Sequence, residues 1–316
     1  MHSVVIPAHN RPGLLREAVH SVARQTYPNF ELIIVDDGSE PPLDRVLFES
    51  IVGRRLVFIR QNTTQGISKT KNAGVRAAQG DVITILDDDD LLMPHALQSI
   101  VDIFRDYAEL DCVFMGVEPF GDLSANAARN RLSTLQRLIA NSGPEDRDGL
   151  LWFPSDCFKS LLGCVPIDLQ RPAAKREVWR RVGGFDENAL FSESAWTLLS
   201  SLDFRIALTK EPLTRWRIHG GNFGWPPDMT ESEITIRNLE NARCATENLL
   251  RIVSRRRAVA RDDMLALRDY LHSLYMDIAH TTRKRSFWKG LPFVYRGLRI
   301  APSVRGALKA CRYFSP

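Results

Sequence analysis

The apolar run Val82-Ile83-Thr84-Ile85-Leu86 ends in four consecutive aspartates, Asp87, Asp88, Asp89 and Asp90. A short β-branched run predicts a buried strand, and such strands do not normally end in stacked like charges. Carboxylates crowded this way repel one another unless a cation sits among them. Oxygen ligands favour a hard divalent ion, Mg²⁺ or Mn²⁺. In an open α/β sheet the carboxyl end of a strand is also where ligands bind. The competing reading is a solvated acidic turn capping a helix that begins near Pro94. In either reading Asp90, last of the four, is expected to cap that helix.

Strand and helix patterns alternate through the first ninety residues. Residues 3–8 read as a strand ending in Pro7-Ala8-His9-Asn10, followed by a helix with Leu14, Leu15, Ala18 and Val22 on one face. Glu31-Leu32-Ile33-Ile34-Val35 runs into Asp36-Asp37-Gly38-Ser39, and Leu56-Val57-Phe58-Ile59 is a third strand. A helix after Gly66 stops before Gly80 and leads to the strand carrying the aspartates. Alternation of this kind implies a mostly parallel sheet with right-handed crossovers. Asp36-Asp37 and Asp87–Asp90 then leave the sheet along one edge and share a cleft. An acidic floor repels bare phosphate, so a phosphate ligand has to bring a metal with it. No G-x-G-x-x-G follows the first strand and no P-loop occurs, which argues against dinucleotide and P-loop sites. Asp36 reads as a turn residue of Asp-Asp-Gly-Ser.

The 316 residues are 44% hydrophobic and 25% charged, the balance of a soluble globular chain. No apolar run is long enough to span a bilayer, and the N-terminus enters a strand without a signal-peptide core. Five scattered cysteines without CxxC spacing fit a reducing cytoplasm. The formal charge of +4 is unevenly spread. From Arg251 onward 15 Lys and Arg stand against 4 Asp and Glu, a balance of +11, which leaves −7 for residues 1–250.

The ordered motifs Val4-Val5-Ile6-Pro7-Ala8-His9-Asn10-Arg11, Glu31 to Ser39, Gly66-Ile67-Ser68 with Lys71-Asn72-Ala73-Gly74, Leu86 to Asp90, Gly183-Gly184-Phe185-Asp186-Glu187 and Arg217-Ile218-His219 resemble the inverting family-2 glycosyltransferases of GT-A fold. The likeness covers about residues 1–222 and is weak from about 111 to 170. It implies a GT-A domain over 1–225, a mostly parallel sheet flanked by helices, and a basic helical region over 226–316. It also implies a nucleoside-diphosphate sugar donor, UDP most commonly, a Mn²⁺ or Mg²⁺ ion, and a glycan or lipid-linked acceptor. Pro7, Ala8, His9 and Asn10 would line the nucleotide pocket, and Asp37 would bind base or ribose. Asp87 or Asp88 would face the ribose, Asp89 would ligate the metal, and His219 would complete its shell. Lys71, where the family often has Arg, would bring positive charge to the diphosphate.

Inverting transfer needs a charge-neutralising metal, an in-line hydroxyl and a base. The family base is an Asp after a Glu, about eight residues beyond the Gly-Gly-Phe-Asp turn. Here the stretch reads Phe191-Ser192-Glu193-Ser194, with Ser194 in place of that Asp. Glu193 is therefore the expected base, with Asp186 and Glu187 as alternatives. A catalytically silent sugar-nucleotide-binding protein is the rival. Trp196, Trp216 and Trp225 are candidates for stacking on sugar or base.

The segment Phe287-Trp288-Lys289-Gly290-Leu291-Pro292-Phe293-Val294-Tyr295-Arg296 mixes aromatics with cations. Together with Arg255-Arg256-Arg257 and Arg283-Lys284-Arg285 it reads either as a solvated helical appendage or as a contact with the inner face of the plasma membrane. No nucleic-acid module is recognisable.

Overall fold

The computed structural model describes every residue except 123, 190–191, 221–229, 256–258, 284–285, 302–309, 312 and 315–316, and the side chains of 124–128 and 231–232. Trp225, Phe191, Arg256, Arg257, Lys284 and Arg285 therefore lie outside the described residues, as does the expected boundary at 225.

In chain order the elements are β1 (His2–Ala8), α1 (Pro12–Ala23), β2 (Phe30–Asp36), α2 (Arg45–Val52), β3 (Leu56–Arg60), α3 (Ile67–Ala77) and β4 (Val82–Ile85). After them come β5 (Leu91–Leu92), α4 (Ala96–Asp106), β6 (Cys112–Gly121), α5 (Ser124–Ser142), β7 (Glu145–Arg147) and β8 (Leu150–Trp152). The first unit closes with α6 (Phe158–Leu161), β9 (Pro172–Lys175), α7 (Arg176–Val182), α8 (Glu193–Asp203) and β10 (Ile206–Ile218). Three long helices follow: α9 (Glu231–Ser254), α10 (Arg261–Arg283) and α11 (Phe287–Ile300). The chain divides into two compact units, Met1–His219 and Gly220–Pro316.

The strands of the first unit form one sheet in the order β3-β2-β1-β4-β9-β6-β10-β8-β7, with β5 paired to β10. From β3 to β4 it is parallel, as the alternation implies. Beyond β4 it is mixed, because β9 inserts antiparallel between β4 and β6. This places the start of β9 beside the end of β4, with Ala173 opposite Thr84.

Both faces of the parallel half are covered, so its strands are apolar throughout rather than alternating. Val4, Ile6, Leu32 and Ile34 pack with Leu15, Val19 and Val22 of α1, Phe48 of α2 and Leu97 of α4. Alternate residues point the other way, toward α3. A Cβ on Gly74 would lie 2.2 Å from Val5 Cγ1 and 3.2 Å from Val35 Cγ2. Gly74 thus lets α3 lie against β1 and β2. The helix covering the end of β4 that was expected near Pro94 begins at Ala96, and His95 at its N-cap makes no side-chain cap bond.

In the second unit, α9 opens on a capping box between Thr230 and Glu233. α10 and α11 share an apolar cluster of Leu271, Tyr275, Met276, Ala279, Val294, Ala310 and Tyr313. No described helix is long and apolar enough to cross a membrane.

Gly74→Val forces two methyl groups into a contact with no room for a Cβ. It should lower the unfolding free energy by about 1–3 kcal/mol, read by urea titration, and reduce any activity that depends on the seat of α3.

Candidate active site

The parallel strands β1, β2 and β4 deliver three loops to one edge, and those loops are tied together. The His9 backbone N–H donates to the Asp88 carboxylate. The His9 Nδ1–H donates to the Asp37 carbonyl at 2.8 Å, the tautomer that lets Nε2 accept from Asn10 Nδ2 at 3.1 Å. Asn10 holds a φ of 55°, a left-handed conformation that Asn tolerates well. There its N–H donates to Ser39 Oγ and its Oδ1 accepts from the Glu40 N–H. Pro7 and Ala8 are buried in β1, paired with Val35 and Asp36, while His9 and Asn10 are exposed.

Asp36 is more than a turn residue. Its carboxylate is fully buried, accepts from the Ser39 and Leu43 N–H groups, and pairs with Arg60. Burial alone would raise its pKa, but these bonds hold it below the usual range. Asp37 accepts from the Gln65 and Gly66 N–H groups at 2.6 and 3.0 Å. A carboxylate there suits the start of α3, where orphan donors and the helix dipole favour negative charge.

The four aspartates are not a solvated turn. Asp88 and Asp89 are each 8% exposed and Asp90 is fully buried. Three protein cations answer the repulsion between them. Arg11 Nη1 lies 3.4 Å from Asp88 and 3.0 Å from Asp89. Lys71 Nζ is 2.8 Å from Asp87. Arg171 Nη2 is 2.8 Å from Asp90 and 3.4 Å from Asp87. Asp90 therefore does not cap α4. Its carboxylate accepts two bonds from Arg171 and a third from the Arg217 N–H, because the antiparallel β9 brings Arg171 to the end of β4. Burial pushes Asp88 up to about 7, with Asp89 and Asp87 adding to the rise and Arg11 opposing it. Burial would also raise Asp87, but Lys71 and Arg171 bring it down to about 2.

His219 Nε2 stands 3.3 Å from Asp89 Oδ2. Its place follows from the end of β10, where Arg217 donates to the Asp89 carbonyl and pairs with Glu17. Among the described residues no three His, Cys, Asp or Glu side chains form a ready metal shell.

Lys71 joins two parts of the site. Its side chain is 4% exposed, and its ammonium sits between two carboxylates, Asp87 and Glu193 Oε1 at 2.6 Å. Burial would lower its pKa, but the two carboxylates raise it above the ordinary lysine value. The same helix face holds the loop leading to Glu193, through side chains at i, i+3 and i+4. Ser68 Oγ is 2.8 Å from Ser192 Oγ, and Asn72 bonds both the N–H and the carbonyl of Phe185. Gly184 is required there, since a Cβ would meet Asn72 Oδ1 at 2.2 Å. Glu193 opens α8, and its second oxygen, Oε2, has no partner among the described residues. The alternatives are otherwise engaged: Asp186 accepts from the Asn188 N–H, and Glu187 from Asn72 Nδ2.

Trp196 is 1% exposed and packs against Trp179 and Phe185, so it is core and not a stacking platform. Trp216 is half-buried on β10. Two residues of the cluster escaped the sequence reading. Arg11 stood inside a quoted motif without a role. Arg171 lay at the edge of the weak segment, its only signal a lone cation before the apolar Pro172-Ala173-Ala174.

The fold and the strand-end aspartates define the GT-A class. The model of the family "Glycosyl transferase family 2" matches residues 3–160, and the chain belongs to that family. An uncharacterized glycosyltransferase of Haemophilus influenzae is 27% identical over 218 residues, which are 67% of this chain and 63% of the relative. The chain thus spans less than two thirds of that relative's length. Among solved structures, S. aureus TarS 1-349 in complex with UDP-GlcNAc superposes with a TM-score of 0.54 at 15% identity, covering 89% of this chain and 82% of that one. The mannosyltransferase PcManGT of Pyrobaculum calidifontis, in complex with GDP-Man and Mn²⁺, gives 0.54 at 17% identity, covering 97% and 77%.

Arg171→Met leaves Asp90 and Asp87 without their shared cation in a dry site. The unfolding free energy should fall by about 3–5 kcal/mol, and Asp90→Asn in the same chain should restore part of it, both read by chemical denaturation.

Proposed function

We propose that this chain is an inverting, metal-dependent transferase that moves a sugar from a nucleoside diphosphate to a hydroxyl of a glycan or lipid-linked acceptor. The observation that carries the reading is the Asp87–Lys71–Glu193 bridge. It joins the strand-end aspartates, on the donor side, to a carboxylate on α8 whose second oxygen has no partner among the described residues. Family membership supports sugar transfer, and the nucleotide sugars bound by the two structural neighbours support the donor class, with UDP as the first expectation.

The residues present fit a divalent cation. Asp87, Asp88, Asp89, Asp90 and Glu193 set five carboxylates against the three cations Arg11, Lys71 and Arg171, a formal excess of two negative charges. Asp89 and His219 offer two hard or borderline donors, and sites of this type are completed by phosphate oxygens and water. Bound there, Mn²⁺ or Mg²⁺ would neutralise charge on the departing diphosphate.

The chain's own residues do the rest. The rigid His9–Asn10 and Asp37–Ser39 loops present the edge against which base and ribose bind. Lys71 aims Glu193 by holding Oε1, so that Oε2 accepts the proton of the acceptor hydroxyl as the new bond forms. Ser194 is neutral and takes no part in that transfer.

Glu193→Gln should lower kcat by about 10²–10⁴-fold while thermal stabilisation by nucleoside diphosphate with Mn²⁺ persists. Asp89→Ala should abolish that Mn²⁺-dependent stabilisation. Full transfer by Glu193→Gln alongside an inactive Asp89→Ala would remove the base assignment. No stabilisation of the unaltered protein by UDP, GDP or dTDP with Mn²⁺ would remove the donor reading.

Lys71→Met should reduce kcat more than it raises KM and displace the acid limb of the pH–rate profile, with partial recovery in Lys71→Arg. An unmoved pH profile in Lys71→Met would show that the lysine serves packing alone. A catalytically silent binding protein is the reading favoured by Ser194. It predicts donor binding without release of nucleoside diphosphate in the Mn²⁺ assay.

A further inference from the structure

We propose that the exposed face of α11 docks on the headgroup layer of a membrane rich in anionic lipid. The helix has two unlike sides. Gly290, Val294 and Gly297 are buried, and added Cβ atoms on the two glycines would collide with Tyr313 and Ala279 or with Met276 of α10. That side is fully engaged within the second unit.

The opposite side is apolar as well, yet open. Trp288 is 77% exposed and Tyr295 64%. At about 100° per residue, Trp288, Pro292, Tyr295 and Arg299 fall within roughly 60° of one another on the helix surface. Lys289 and Arg296 flank this stripe and are exposed too. Arg299 lies over the Tyr295 ring, 5.9 Å from its centroid. Large aromatics left open in a stripe mark a contact surface rather than ordinary solvent exposure.

Charge names the occupant. α11 contains no acidic residue, and beyond Asp277 the chain carries nine Lys and Arg and no Asp or Glu. Trp and Tyr favour the depth of the headgroups, where the ring is in contact with acyl chain and the polar tip stays wet. Flanking Lys and Arg reach outward along their stems to lipid phosphates. An amphipathic helix with aromatics on one line and cations beside it lies in the interface plane without crossing it. α11 belongs to the second unit, and the inference holds whether or not transfer is the chain's activity.

Flotation of the full chain with phosphatidylcholine vesicles, with and without phosphatidylglycerol, tests this. The protein should float with the anionic vesicles at low salt, leave them at high salt, and ignore pure phosphatidylcholine. Each cation removed should weaken partition by about fivefold, so Arg296→Glu/Arg299→Glu should lower it by well over tenfold. Trp288→Ala/Tyr295→Ala should also weaken it. All these side chains are exposed, so the variants should keep the thermal midpoint of the unaltered protein. Brominated lipid should quench tryptophan emission, and most of that quenching should vanish in Trp288→Phe. No flotation at low salt, or flotation undiminished in both double variants, would overturn the proposal. So would a dimer that Trp288→Ala/Tyr295→Ala converts to monomer, or an oligonucleotide that binds this face in place of vesicles.

Discussion

One buried ammonium organises the site. Lys71 is seated on α3, a helix that lies against β1 and β2 because Gly74 has no side chain. From there its Nζ reaches Asp87 at the end of β4 and Glu193 at the start of α8. A cation this dry is stable only while its partners are in place, and the partners in turn need it. The same face of α3 makes two further contacts with the chain before α8: Ser68 with Ser192, and Asn72 with Phe185.

Around that contact the protein balances a dense negative charge without cancelling it. Arg11, Lys71 and Arg171 each bridge two carboxylates. Strand order decides where two of the three meet the cluster: β4 lies next to β1, which brings Arg11, and next to β9, which brings Arg171. The five carboxylates Asp87, Asp88, Asp89, Asp90 and Glu193 still outnumber these three cations by a formal two negative charges. Burial raises both Asp88 and Asp90 to about 7, whereas Lys71 and Arg171 hold Asp87 near 2.

The sequence reading succeeded where local pattern and chemistry coincide. The strands before Asp36 and Asp87, the helix after Gly66 and the parallel order of β1, β2 and β4 all follow from short apolar runs closed by turn residues. It failed where a partner came from far along the chain. Asp90 was assigned to a local helix cap because Asp before a helix is commonly one, whereas its partner, Arg171, lies 81 residues on. The bridge from Lys71 to Glu193 was likewise invisible, because the two residues lie 122 positions apart. Trp196 was offered as a stacking residue because a lone tryptophan carries no sign of its surroundings. Three aromatic neighbours from α7, β6 and the Gly183–Ser192 loop make it core.

By itself, the sequence determined the alternation of strands and helices, the crowding of carboxylates at a strand end, the family motifs in their order, and the basic, acid-free C-terminal stretch. These properties depend on residues within a few positions of one another, so period and composition express them. Only the tertiary structure decided which cation answers which aspartate, that β9 runs antiparallel beside β4, that Lys71 faces Glu193, and which side of α11 is open. Those outcomes depend on strand order and helix seating. Coulombic contacts over about 3 Å between residues roughly a hundred positions apart leave no local trace.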